Sequence, residues 1–187
     1  MKTRVTSLLM HPTNADIMFA GVEADGPRRS TDGGRTWQRI GLDDVDVHDI
    51  KMAPDGTLYL SSNFEVFRSD DEGDSWVPLR IKEHFDNTYC RGVGFSPTDP
   101  SVLYVGNGSG PPGHTGAVYR TRDRGESWEK ADLNGRTNSC VWQFAASGQW
   151  MLASTVLGQV YRSTDGGENW GKLGWEFGEI RGLVCVA

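Results

Sequence analysis

The sequence is poor in everything that would mark a helical, secreted or nucleic-acid-binding protein. Its 187 residues hold only three cysteines, Cys90, Cys140 and Cys185. An odd number without metal-type spacing excludes a disulfide framework and a structural zinc site. Each lies in an apolar stretch, so they read as small buried thiols in a reducing compartment. No run of Lys or Arg exceeds two and the net charge is -6, which argues against nucleic acid or an anionic membrane as a partner. Long apolar runs are missing too. Leu8-Leu9-Met10 ends at His11-Pro12, too short for the core of a signal peptide, and nothing elsewhere would span a bilayer as a helix. A cytoplasmic location is the resulting expectation. What the chain has instead is 24 Gly, 8 Pro and 7 Trp with 37% hydrophobic residues. That composition predicts many short strands joined by tight turns around a real core.

The chain also repeats itself. Four segments share Ser/Thr-x-Asp-x-Gly-x-(Thr/Ser/Asn)-Trp. They run from Ser30 through Asp32 and Gly34 to Trp37, from Ser69 through Asp71 and Gly73 to Trp76, from Thr121 through Asp123 and Gly125 to Trp128, and from Ser163 through Asp165 and Gly167 to Trp170. A hydroxyl precedes the Trp in all but the last, where Asn169 stands. An Arg precedes every segment: Arg29, Arg68, Arg120 and Arg162. The tryptophans are 39, 52 and 42 residues apart, the period of a four-stranded blade of ~40–45 residues with one insertion in the third.

On these segments the chain resembles the Asp-box, or BNR-repeat, β-propellers, including sialidase-like, sortilin-like and photosystem-assembly-factor-like proteins. The residues support the same fold independently. Strand-like segments, Ala117–Arg120 and Gln159–Arg162 before the box and Thr36–Ile40 after it, make the box a hairpin loop. Its Asp and hydroxyl accept loop N–H groups, its Gly permits positive φ, and its Trp is expected to start the outer strand. Two further strands complete each repeat. The first are Val5–Met10, Asp49–Met52, Gly92–Phe95 and Val141–Ala145, and the second are Ile17–Val22, Thr57–Ser61, Val102–Gly106 and Trp150–Ser154. The fold class is therefore all-β, one propeller-type domain over 1–187, with antiparallel four-stranded blades at about 1–42, 43–82, 83–133 and 134–175.

An extra inner strand is predicted at 180–186. In longer members of the resembled family such a strand completes the first blade, which implies a partial propeller. A closed four-bladed ring would leave this strand without a blade. An open arc would expose apolar end faces, so a homodimer or a missing propeller half is also expected.

The box aspartates repeat because each builds the same turn, so they are poor catalytic candidates. Ligands are expected on the opposite loops. Asp46, His48 and Asp49 lie between the first two blades. Glu83, His84, Asp86, Tyr89 and Arg91 lie between the second and third, His114 in the insertion, Arg136 before the fourth, and Glu176 near Arg181 after it. Aligning the inner strands on their turns makes Thr6, His48, Arg91, Cys140 and Arg181 equivalent at the mouth of a central channel. Arginines there suit a carboxylate or sugar-like ligand, while the plainer reading is solvated loop charge and weak ion pairs. The ligand-binding candidates are His48, Arg91, Arg136, Arg181, Trp142 and His114. A divalent metal on His48, His84 and His114 is a remote option because no pair has ligand-type spacing. No cofactor is expected.

Two functions follow. The first is a non-catalytic binding or assembly module for a protein, peptide or carbohydrate. The second is a glycoside hydrolase, sialidase-like or xyloglucanase-like, with its acid and nucleophile drawn from Asp46, Asp49, Glu83, Asp86, Tyr89 and Glu176. The resemblance to sialidases implies three arginines. Arg91 and Arg181 supply two, with Arg136 or Arg4 as the third, and Tyr89 with Glu83 or Glu176 would form the nucleophile pair. The Arg-Ile-Pro start motif of sialidases is absent.

Overall fold

The structure is a computed structural model and describes residues 3–185. Four antiparallel sheets of four strands each follow one another along the chain. The first holds β1 (Val5–Met10), β2 (Met18–Val22), β3 (Gly26–Ser30) and β4 (Gln38–Arg39). The second holds β5 (Val47–Met52), β6 (Leu58–Ser62), β7 (Val66–Ser69) and β8 (Val77–Pro78). The third holds β9 (Tyr89–Phe95), β10 (Leu103–Gly108), β11 (Gly116–Thr121) and β12 (Glu129–Lys130). The fourth holds β13 (Val141–Ser147), β14 (Trp150–Thr155), β15 (Val160–Ser163) and β16 (Gly171–Lys172). In every sheet the strands pair in chain order, which is the propeller blade. A short 3-10 turn at Ile81–Glu83 precedes the third blade, and no α-helix occurs among the described residues.

The chain divides into two compact units after Leu79, two blades in each. In the first unit, Leu9 and Phe19 of blade one meet Ile50, Leu58 and Met52 of blade two, with Ile40 and Trp76 sealing the contact. In the second, Val102, Tyr104 and Val118 of blade three meet Val141, Met151, Ala153, Tyr161 and Trp170 of blade four. Each interface is an alternating strand face turned towards its neighbour, the period-2 signature of a half-buried strand. Burial of this kind stabilises by roughly 25 cal/mol per Å² of apolar surface.

The boxes are built alike. In the first, Ser30 Oγ accepts from Gly34 N at 2.9 Å and donates to Asp32 Oδ1 at 2.8 Å. Asp32 Oδ1 accepts from Thr36 N at 2.9 Å, and Oδ2 accepts from Thr36 Oγ1 at 2.6 Å. Asn169 in the fourth box replaces the hydroxyl without loss, since its Nδ2 donates to Asp165 Oδ2 at 2.7 Å. Hydrogen bonds from the residue before the Trp hold the Asp32, Asp123 and Asp165 carboxyls down at about 2, and that of Asp71 below the usual range.

Three expectations are corrected. The box Trp precedes the outer strand instead of starting it, and that strand is only two residues long in each blade, as at Gln38–Arg39. A box that closes on its own Asp consumes the N–H groups that would otherwise extend the ladder. Second, residues 180–185 form no strand, and residue 186 of that prediction lies outside the described residues. The segment is tied down by single bonds, Phe177 N to Gly158 O at 2.9 Å and Ile180 N to Val156 O at 3.0 Å. An inner strand needs a hairpin partner, and among the described residues none pairs with this segment.

The third correction concerns register. Blades one, two and four carry a β-bulge at the same place in the inner strand, between Val5 and Ser7, Val47 and Asp49, and Val141 and Gln143. The extra residues are Thr6, His48 and Trp142. In blade three the shift falls between Cys90 and Val93, at Arg91-Gly92. Trp142, not Cys140, is therefore the fourth-blade equivalent of Thr6, His48 and Arg91. Counting back from the turns failed because β13 runs on to Ser147 at a tight turn, whereas β1 and β5 reach longer ones.

Candidate functional site: the loop ends of blades three and four

Bulges re-aim side chains, and in the second unit two of the re-aimed residues meet. Arg91 lies with its guanidinium 3.8 Å from the centre of the Trp142 indole, and Arg181 lies 5.8 Å from the same ring. Trp142 is buried beside Cys140 and Val156, with Tyr89 packed against them. Two predicted ligand residues, Arg91 and Arg181, and Tyr89 thus converge on the indole of a third, Trp142. The cation is attracted by the face of the ring, which positions the guanidinium against Trp142. Arg181 is also paired with Glu179. Burial pushes the Cys140 thiol up to about 12, against the pull of Arg91, so it stays protonated and packs as an apolar residue.

Beside the insertion lies an open groove of about 700 Å³ lined by Asp86, Asn87, His114, Lys130, Arg136 and Thr137 among others. It gathers three more predicted residues, Asp86, His114 and Arg136. The insertion reaches this position because residues 109–115 fold over the start of blade four: Pro112 O accepts from Cys140 N at 2.8 Å. The approach requires Gly116, where a Cβ would lie 2.4 Å from Ser139 O. Thr137 Oγ1 clamps the same spot, accepting from Gly116 N at 2.6 Å and donating to Gly116 O at 2.8 Å.

Two carboxylates of this unit, Asp86 and Glu176, are lowered by a cationic partner. Lys130 Nζ reaches Asp86 Oδ2 at 2.5 Å, and this bond keeps the Asp86 carboxyl below its usual range. Glu176 is lowered in the same way by Lys172, and also accepts from Gln159 Nε2 at 3.0 Å. Glu83 and His84 are exposed at the 3-10 turn, apart from the groove lining.

The first unit holds the remaining predicted residues. His48 is buried, with Nε2 3.3 Å from Asp46 Oδ2. Asp49 Oδ1 accepts from Ile50 N at 2.9 Å and lies 3.5 Å from Lys51 Nζ. Asp46 also lines a hollow of about 490 Å³ with Glu23, Asp44, Asn63 and Phe64. Its Oδ1 is buried without a hydrogen-bond partner. Among the described residues no three His, Cys, Asp or Glu side chains gather as a metal site.

Sequence reasoning missed Asn87, Lys130 and Thr137 of the groove. Lys130 follows a box in a short outer strand and reads as a solvated charge. Its partner Asp86 is 44 residues away, a separation that no repeat signals.

Comparison with known proteins agrees with this architecture. The family model Sortilin-Vps10, described as sortilin, neurotensin receptor 3, matches residues 27–157. No curated protein matches the chain. Among solved structures, an ancestral GH74 enzyme superposes with a TM-score of 0.75 at 19% identity, covering 91% of this chain and 24% of its own. The GH74 xyloglucanase from Xanthomonas campestris gives 0.68 at 20%, covering 89% and 29%. YCF48 bound to D1 peptide gives 0.57 at 22%, covering 91% and 54%. The chain thus spans about a quarter of the GH74 enzymes and about half of YCF48. At these identities the likeness is one of fold, and the fold is shared by enzymes and non-enzymes.

Proposed function

The chain belongs to the Sortilin-Vps10 family, and from that premise we propose that it is a non-catalytic binding module whose second unit grips a carboxylate-bearing peptide or protein segment at the loop ends of blades three and four. The observation that carries this reading is the stack of Arg91 on Trp142 with Arg181 beside it. Such a guanidinium is oriented before the ligand arrives, which lowers the ordering cost of a bidentate contact. The charge state of the neighbouring carboxylates supports it. A retaining or inverting glycosidase needs one carboxyl raised enough to donate a proton, whereas Asp86 and Glu176 are both lowered by cationic partners. YCF48, a propeller of similar fold, has been captured with a peptide.

The test is calorimetric titration with a panel of short acidic and neutral peptides, alongside xyloglucan and sialoside hydrolysis assays. Acidic peptides should bind, and Arg91→Ala should weaken binding about tenfold, the loss of one charge-assisted contact of ~1.4 kcal/mol. Equal binding by Arg91→Ala, or no preference for acidic peptides, overturns the reading.

One observation favours the hydrolase instead. Asp46 has an unpartnered buried oxygen in the acidic hollow of the first unit, and GH74 enzymes share the fold. Hydrolysis of xyloglucan that disappears in Asp46→Asn would establish it.

A further inference from the structure

Within each unit, successive blades are joined by the same ion pair. The Arg before one box reaches the acid that follows the Gly of the next box. Arg29 Nη2 lies 2.9 Å from Asp74 Oδ1, and Arg120 Nη1 lies 2.7 Å from Glu168 Oε2. Asp74 follows Gly73 and Glu168 follows Gly167, and the third box has Glu126 after Gly125. Within each unit the first blade thus offers a cation to the second, and the second an acid to the first.

The two end blades break this pattern in a specific way. In the first box the residue after Gly34 is Arg35, exposed and, among the described residues, bonded only to a backbone carbonyl, Asp32 O at 3.1 Å. The blade that presents it has an uncovered apolar face. Leu8 and Met10 of β1 are 60% and 59% exposed, and both pair with β2 residues, Ala20 and Met18, on that same side. Trp37 is 36% exposed, whereas Trp170 is 6%. At the other end, Arg162 has no carboxylate partner among the described residues and lies 5.1 Å from the Trp150 ring. The outgoing cation of blade four would therefore meet an incoming cation, Arg35, if a second copy of this chain were placed on blade one.

A further position sets this face apart. Where blades two, three and four direct Phe67, Tyr119 and Tyr161, blade one has Arg28, which is paired with Asp25. Arg39, across from Arg28 in the ladder, is also satisfied, by Asp25 and Asp43. Among the described residues, Arg35 is then the arginine of this face that lacks a carboxylate. Leaving a face with two large apolar side chains exposed is unfavourable, and like charges brought together at an interface suppress wrong partners.

We propose that the free face of blade one receives a β-blade that is not one of the four here and that carries a carboxylate where these blades carry the Arg before the box. Arg35 is its specificity contact, and the Arg35–Arg162 mismatch keeps a second copy of this chain off the face.

The proposal is tested by a charge cycle on the full chain, read by sedimentation velocity as a function of concentration. Arg162→Glu turns blade four into an acid-bearing blade, and Arg35→Glu gives blade one the acid seen after the Gly of the other boxes. Each single variant has complementary ends, whereas the wild type is cation on cation and the double variant acid on acid. Both single variants should self-associate at least about tenfold more tightly than the wild type and the double variant. Raising the salt should erase the difference, since exposed charges are screened. Association of the wild type and the double variant as tight as that of the single variants overturns the proposal, as do single variants no tighter than wild type. The four proteins are compared by circular dichroism, so that loss of folding is distinguished from loss of pairing.

Discussion

The same eight-residue box stands in blade one and in blade four, yet its tryptophan has opposite fates. Trp170 is buried against blade three, its ring centre 6.1 Å from that of Tyr104 and tilted at 72°. Trp37 lies exposed and turns its Nε1 back to Gly34 O at 3.0 Å. The box is local chemistry and forms identically in both. The Trp is tertiary chemistry, and its worth depends on whether a preceding blade is there to receive it. Replacing Trp170 with Ala should therefore give the largest effect, a loss of ~3–5 kcal/mol by the cost of a large core truncation. Denaturant melts of this variant measure it, and a loss below ~1.5 kcal/mol would remove the distinction between the two positions.

A second difference between the units is the insertion in blade three, which has no counterpart in blades one and two. It is held over the start of blade four by a backbone approach that excludes any side chain at Gly116. Gly116→Ala is expected to cost ~1–3 kcal/mol, because the neighbouring atom is a backbone carbonyl oxygen and not a flexible side-chain end. It should also open the groove beside Arg136, seen as faster amide exchange at residues 109–115. Gly56 is the control in the first unit. A Cβ there meets nothing within 4 Å, although its φ of 89° adds local strain, so Gly56→Ala should leave groove exchange unchanged.

These two positions show what was legible in the sequence. The blades could be read because the box announces a hairpin every time and because short apolar segments such as Val5–Met10 end at turn residues. The outer strands were overread, since a Trp followed by β-formers looks like a strand, whereas the box spends its N–H groups on its own Asp. Parts of the site were legible for the same reason as the fold. Arg91 and Arg181 were placed at the loop ends by repeat alignment. Their convergence was not, because it arises from a bulge that shifts Trp142 and not Cys140 into position. Lys130 beside Asp86 and Thr137 beside Gly116 join residues from different strands and loops, and periodicity carries no information about such pairs.

The boxes themselves make the units alike again, and acid should reveal it. Asp32 in the first unit and Asp123 and Asp165 in the second sit at about 2, below the ~3.9 of an unfolded Asp. A carboxyl lowered on folding adds stability that is fully present above the unfolded value and is lost as pH falls through the folded one. Thermal midpoints should therefore drop steadily between about pH 4 and pH 2. Asp165→Asn should shallow that slope, and Asp32→Asn should shallow it by a similar amount. A flat profile over that range, or a slope carried by one unit alone, would contradict the equivalence of the boxes.

The smallest expected effect sharpens the opening contrast most. Trp37→Ala removes a ring that packs near Met18 and Gly34 but meets no preceding blade, so the cost to this chain should be at most ~0.5–1 kcal/mol, the range of a surface change. The same substitution should matter far more once the blade-one face is occupied. In the Arg162→Glu variant, where blade four of one copy is matched to Arg35 of another, Trp37→Ala should weaken self-association by about tenfold, as truncation of a central aromatic does at an interface. A ring that is cheap to remove from the isolated chain and costly to remove from the assembled one is a blade contact awaiting its neighbour. If Trp37→Ala costs as much as Trp170→Ala in the chain alone, the exposed ring has a structural partner within blade one, and the contrast between the two ends fails.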